Sequence, residues 1–124
     1  MDTSSLNRFL EVQELMYATA LEEIKIPDSI KRLGSGVFSN CTSLKSIKLP
    51  KDLKEIYYSM FLNCTSLEEV ELGDNINIIY PKAFQNCQSL KEIKLPETTS
   101  KIYSDSFLDC KSLKKSRLYC RRML

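Results

Sequence analysis

The chain repeats itself every 23 residues, and no other feature constrains its fold as tightly. Cysteines stand at Cys41, Cys64, Cys87 and Cys110, each 23 residues after the last. Phe38, Phe61, Phe84 and Phe107 keep the same step, as do Asn40, Asn63, Asn86 and Asp109. Leu44, Leu67, Leu90 and Leu113 follow, then Ile47, Val70 and Ile93, then Leu49, Leu72, Leu95 and Leu118. A further column reads Leu33, Ile56, Ile79, Ile102, and no insertion breaks the register. A fixed period of this size is the mark of a solenoid, in which each repeat is one supersecondary unit stacked on the next.

The period extends backwards with less fidelity. ATALEEIKIP, from Ala18 to Pro27, aligns with CTSLKSIKLP, and upstream Leu15 and Leu10 take apolar places. Forwards, Ser116 stands where isoleucine belongs. Degraded ends are expected, because a terminal coil has one uncovered face. The reading is therefore a single solenoid over residues 1–124, of about four to five coils. A degenerate cap or coil covers about residues 1–26, regular coils about 27–118, and a tail 119–124.

Within a coil, Ser46-Ile47-Lys48-Leu49 alternates polar with apolar and is closed by Pro50, which predicts a strand. A second, less regular strand is predicted around Leu53 to Tyr57. Between coils, Phe38, Cys41 and Leu44 are three apart, a spacing that predicts a turn of 3₁₀ or α-helix. The inward positions are Phe38, Cys41, Leu44, Ile47, Leu49, Leu53 and Ile56. Burial worth about 1.5–3 kcal/mol at each cannot offset about 1–2 kcal/mol of backbone entropy for every ordered residue. A lone coil should not fold, and stacking is what makes the repeat necessary.

The string F-x-N-C-x-S-L-x-x-I-x-L-P at this spacing resembles the BspA-type leucine-rich repeat, over roughly Leu10 to Leu118. The resemblance implies an α/β repeat solenoid. Its coils would stack right-handed, with a parallel concave β-sheet, short helical or 3₁₀ turns and short convex strands. It also implies adhesion or protein recognition at a cell surface or after secretion. The opening, MDTSSLNRFLEVQELMY, has no basic region followed by an unbroken apolar run. The competing expectation is therefore a cytoplasmic protein, or a piece separated from its leader and neighbouring domains.

Four cysteines in a column invite a metal reading. Adjacent coils lie about 4.8 Å apart, so the thiols would form a line, and a line cannot surround one tetrahedral zinc ion. Parallel Cβ vectors also fit a disulfide badly. The expectation is a column of buried, reduced thiols, with Cys120 in the tail the reactive one. Asn40-Cys41-Thr42 and Asn63-Cys64-Thr65 are glycosylation sequons, but Gln88 breaks the pattern after Asn86. An amide ladder between coils is the preferred reading. Ser43, Ser66, Ser89 and Ser112 read as turn-capping hydroxyls, and Tyr57, Tyr80 and Tyr103 as a stiffening aromatic ladder or a binding stripe.

The sheet's outward positions are the candidate partner-binding residues, because core packing does not dictate them. One column reads Lys25, Lys48, Glu71, Lys94, Arg117, and its neighbour Glu23, Ser46, Glu69, Glu92, Lys115. They form either a concave strip that recognises a charged protein surface or a solvated face of mutually compensating charges. With no histidine in the chain, a Ser–His or Cys–His dyad is impossible, and no glycine loop cradles a phosphate. No enzyme and no cofactor is expected. Net charge is +2 with both signs interspersed, which argues against nucleic acid, and no apolar run is long enough for membrane insertion. The expected role is a protein-binding module of the adhesion type, the alternative an intracellular scaffold. Unpaired strand edges at the ends suggest an end-to-end homodimer.

Overall fold

The structure, a computed structural model, describes residues 21–114. Each coil contributes a short strand to one or both of two parallel sheets. Strands β1 (Glu23–Lys25), β2 (Ser46–Lys48) and β4 (Glu69–Glu71) lie in the order β1-β2-β4. Strands β3 (Glu55–Ile56), β5 (Ile78–Ile79) and β6 (Lys101–Ile102) lie in the order β3-β5-β6. The register follows the sequence period, with Ile24 beside Ile47 beside Val70, and Ile56 beside Ile79 beside Ile102. The degenerate LEEIKIP segment thus occupies its aligned place, since β1 pairs with β2 one period on.

The turn between the sheets keeps the i→i+3 bonding of the expected 3₁₀ turn without extending it. No helix occurs among the described residues. The bonds from Cys41 N–H to Phe38 C=O and from Leu44 N–H to Cys41 C=O are present, both 3.2 Å, but they do not chain into a helix. Asn40 stands between them at φ 64°, in the left-handed region, where a right-handed turn cannot continue. The backbone instead bonds sideways. Phe38 N–H donates to Met60 C=O at 3.0 Å, and Asn40 N–H to Leu62 C=O at 2.7 Å. The next coil repeats both, from Phe61 to Ala83 at 2.7 Å and from Asn63 to Gln85 at 2.9 Å. The turns therefore form a third inter-coil ladder, which satisfies backbone groups that a helix would have satisfied internally.

All seven inward positions of the coil are buried. Three phenylalanines form a stack along the core, with ring centroids 5.5 Å apart for Phe38–Phe61 and 5.1 Å for Phe61–Phe84. Phe107 adds a fourth ring at 5.1 Å. The periodicity had not marked a further buried column, Val37, Met60, Ala83 and Ser106. Its members differ so much in chemistry that no pattern shows. Ser106 sits fully buried because its hydroxyl donates to Tyr80 C=O at 3.0 Å, and Thr99, following Leu53 and Ile76, bonds Ile76 C=O at 2.9 Å. Ser116, Arg117, Leu118, Cys120 and the cap before Leu21 lie outside the described residues.

Candidate functional site

The cysteine column is structural. Cys64, Cys87 and Cys110 each donate from Sγ to a phenylalanine carbonyl of the preceding coil, at 3.1, 3.2 and 3.0 Å. Hydrogen bonding with Cys41, then burial, pushes the Cys64 thiol far above its ordinary value, and Cys110 and burial do the same to Cys87. Cys41 and Cys110 are drawn down by those same thiol contacts. The four thiols are free, and Cys110 is only partly buried, so the expected full burial holds for three of them. Beside them runs the amide ladder. Asn63 Nδ2 donates to Asn40 Oδ1 at 2.9 Å, and Asn86 Nδ2 to Asn63 Oδ1 at 3.0 Å. Ser89 of the serine column donates across coils to Thr65 C=O at 2.7 Å.

The β1-β2-β4 sheet carries the charged columns outward. Lys25 stands beside Lys48, and Lys48 beside Glu71, with Glu23, Ser46 and Glu69 as the neighbouring column. Lys25, Lys48, Glu69 and Glu71 are exposed. Glu92 and Lys94 are exposed too, but residues 92–94 are not part of a strand, and the described sheet ends at β4. Leu72 and Leu95 are correspondingly only half-buried, whereas Leu49 is buried. An open cleft of about 930 Å³ lies there, lined among others by Glu69, Glu71, Asp74, Lys91, Lys94 and Lys114. Gly73 at its edge replaces the proline of its column. A Cβ there would lie 2.6 Å from the Lys51 carbonyl oxygen, so the close approach needs glycine.

Charge compensation takes place one column over, at positions that sequence reasoning missed. Lys45 Nζ pairs with Glu22 Oε1 at 3.4 Å and Lys91 Nζ with Glu68 Oε1 at 4.0 Å. The alternation Glu22, Lys45, Glu68, Lys91 was readable from the same alignment. Among the described residues, Lys48 and Glu71 make no ion pair although they are register partners.

The β3-β5-β6 sheet presents the tyrosines. Tyr57 stacks on Tyr80 at 5.3 Å and Tyr80 on Tyr103 at 5.7 Å, with the half-exposed Tyr58 tilted against Tyr80 at 5.0 Å. Lys101 Nζ lies 4.6 Å from the centre of the Tyr103 ring. A hydrogen bond to Glu55 and then desolvation raise the Tyr57 hydroxyl above its ordinary value, and desolvation followed by the Glu55 charge raises Tyr80. Nearby, the Lys31 ammonium 2.9 Å from Asp52 holds that carboxyl below the usual range, first by hydrogen bonding and then by charge.

Coil length, stacked phenylalanines and the asparagine ladder all belong to one repeat pattern. The BspA type leucine rich repeat region matches in six copies over residues 12–121. The chain belongs to this family. Solved leucine-rich repeat structures agree with it. A leucine rich repeat protein of T. pallidum is 32% identical, with a TM-score of 0.69, over 74% of this chain and 45% of its own. One from Eubacterium ventriosum is 32% identical with a TM-score of 0.70, over 76% of this chain and 26% of its own. A leucine rich cell surface protein of Faecalibacterium prausnitzii is 32% identical with a TM-score of 0.72, over 76% and 25%. The chain spans less than half the length of each of these structures. No curated protein matches it. Among the described residues, no helix is long and apolar enough to cross a membrane.

Proposed function

We propose that this repeat module recognises a protein through the outward face of the β1-β2-β4 sheet, and that the role is adhesion to a host or matrix protein at the cell surface. Lys25, Lys48, Glu71, Lys94, Arg117, Glu69 and Glu92 are the residues assigned to the contact. The observation that carries the reading is the Lys25–Lys48 pair. The two lysines are register partners on adjacent strands, exposed, and without an ion pair among the described residues. Like charges set directly opposite each other work against the sheet, whereas a solvated, self-compensating face would alternate them as the Glu22–Lys45 column does. An acidic patch on a partner, facing Lys25 and Lys48, removes the repulsion and gains from both charges. The surface location draws support from the Faecalibacterium relative, called a leucine rich cell surface protein. The same reading includes end-to-end pairing of two coil stacks, which light scattering at high concentration would reveal as a dimer.

The test is capture by immobilised protein from extracellular-matrix material and from the producing cell's lysate. A variant carrying Lys48→Glu, Glu71→Lys and Lys94→Glu runs beside it. Retention of a matrix or host-surface protein by the native form, and its loss by the variant, is the expected result. Capture from the cytosolic lysate alone would replace adhesion with an intracellular scaffold role. Equal retention by both forms would remove the charged face from the mechanism.

A further inference from the structure

The tyrosine ladder stops one rung short. Its column continues from Tyr103, Tyr80 and Tyr57 to Gly34, 23 residues earlier, where there is no side chain. Gly36 N–H donates to Tyr58 C=O at 2.8 Å, so the glycine coil lies directly beside the last tyrosine. Among the described residues, a Cβ at Gly34 would meet nothing within 4 Å. Tyr57 therefore has Tyr80 against one ring face, while the other looks over the glycine backbone. A hollow of about 590 Å³ opens beside Tyr57, lined among others by Arg32, Lys54 and Glu55, though Gly34 is not among its lining residues.

The charges around it are unequal. Lys31 and Asp52 neutralise each other at 2.9 Å, and Glu55 is engaged with the Tyr57 hydroxyl. Arg32 and Lys54 are exposed and make no ion pair among the described residues. An open ring face flanked by two unspent cations selects an aromatic group with negative charge beside it.

We propose that the missing rung is a docking site for an aromatic side chain of a partner protein that carries carboxylates next to it. The incoming ring stacks on Tyr57 over Gly34 and continues the ladder, in the offset geometry aromatic pairs prefer. The flanking carboxylates meet Arg32 and Lys54 as charge-assisted hydrogen bonds, which the planar guanidinium accommodates in pairs. The site is on the β3-β5-β6 sheet and is independent of the charged face of the other sheet.

The experiment titrates ¹⁵N-labelled full chain with acetyl-Phe-Glu-Glu-amide and, as control, acetyl-Ala-Glu-Glu-amide. Saturable shifts at Gly34, Tyr57 and Arg32 are expected with the first peptide, and binding about tenfold weaker with the second. Gly34→Tyr places the chain's own ring in the slot. It should raise the Tm, showing that the ladder accepts a fourth rung, and abolish binding. Arg32→Gln with Lys54→Gln should weaken binding about tenfold. The variant reversed at Lys48, Glu71 and Lys94 should bind like the native chain, which separates this site from the charged face. No shift at Gly34 and Tyr57, equal binding of the alanine peptide, or undiminished binding by Gly34→Tyr would overturn the proposal.

Discussion

Asn40, Asn63, Asn86 and Asp109 all hold φ between 61° and 64°, and that single backbone requirement explains why their column admits little else. Asn and Asp tolerate the left-handed region better than other residues with a Cβ. A second column with the same requirement runs through Gly36 at 67°, Ser59 at 58° and Lys82 at 63°. Glycine is unstrained there, whereas serine and lysine are not. The left-handed conformation costs a residue with a Cβ about 1–2 kcal/mol, and glycine's extra flexibility returns about 0.5–1 kcal/mol of that. Ser59→Gly and Lys82→Gly should each stabilise the chain by about 0.5–1 kcal/mol in urea denaturation, and a loss would sink the argument. Gln85 offers a second case, since its Oε1 is buried without a partner among the described residues while its column neighbours Leu62 and Leu108 are apolar. Gln85→Leu is expected to gain about 1 kcal/mol in the same assay. The asparagine column was legible because it never varies beyond Asn and Asp across the four regular copies. The Gly36 column was not, because three unrelated residue types share a φ that leaves no chemical trace.

At the scale of the element, strands and turns diverge in how far the sequence announced them. SIK and EVE alternate polar and apolar, and both form strands with the central residue buried. The turn keeps the i→i+3 bonds that the inward spacing of Phe38, Cys41 and Leu44 predicts, but side-chain spacing is blind to the φ of Asn40, which stops those bonds chaining into a helix. The amide ladder over that turn should be worth measuring. Asn63 both donates to Asn40 and accepts from Asn86. Each bond contributes about 0.5–1.5 kcal/mol, so Asn63→Gly, which keeps the left-handed turn, should cost about 1–2 kcal/mol. Asn63→Ala adds the left-handed penalty and should cost about 2–4 kcal/mol. Equal losses for both variants would mean the ladder matters and the backbone conformation does not. The tyrosine ladder predicts a pH dependence. Tyr57 and Tyr80 titrate above their ordinary value when folded, so the stability they contribute is fully present below about pH 10. It is lost as pH rises through the folded values. The melting temperature should therefore fall above about pH 10. Glu55→Gln should bring the Tyr57 titration, followed by ultraviolet absorbance, down towards the ordinary value.

For the whole molecule, the period decided nearly everything about architecture and almost nothing about the binding face. Columns that point inward must be apolar in every coil, so repetition exposes them. Columns that point outward are free to vary: the period already set Lys25 beside Lys48, and the pairing of β1 with β2 agrees, but repetition alone gives such a column no meaning. The opening of the sheet after β4 was equally hidden, since Ile93 and Leu95 continue their columns without a break. Because coils touch only their neighbours, stability should depend on position along the stack. Phe61 is fully buried between Phe38 and Phe84, whereas Phe107 is half-buried, with Phe84 the one ring stacked on it among the described residues. Phe61→Ala is expected to cost about 3–5 kcal/mol, the range for truncating a well-packed core phenylalanine. That is comparable to the whole stability of a small domain, so the native fold should be lost or marginal. Phe107→Ala should cost well under half as much and act locally. Hydrogen exchange would show amides of residues 84–114 opening early while those of β1, β2 and β4 keep their protection. A uniform loss of protection in Phe107→Ala would instead make the stack one cooperative unit, in which no coil frays alone.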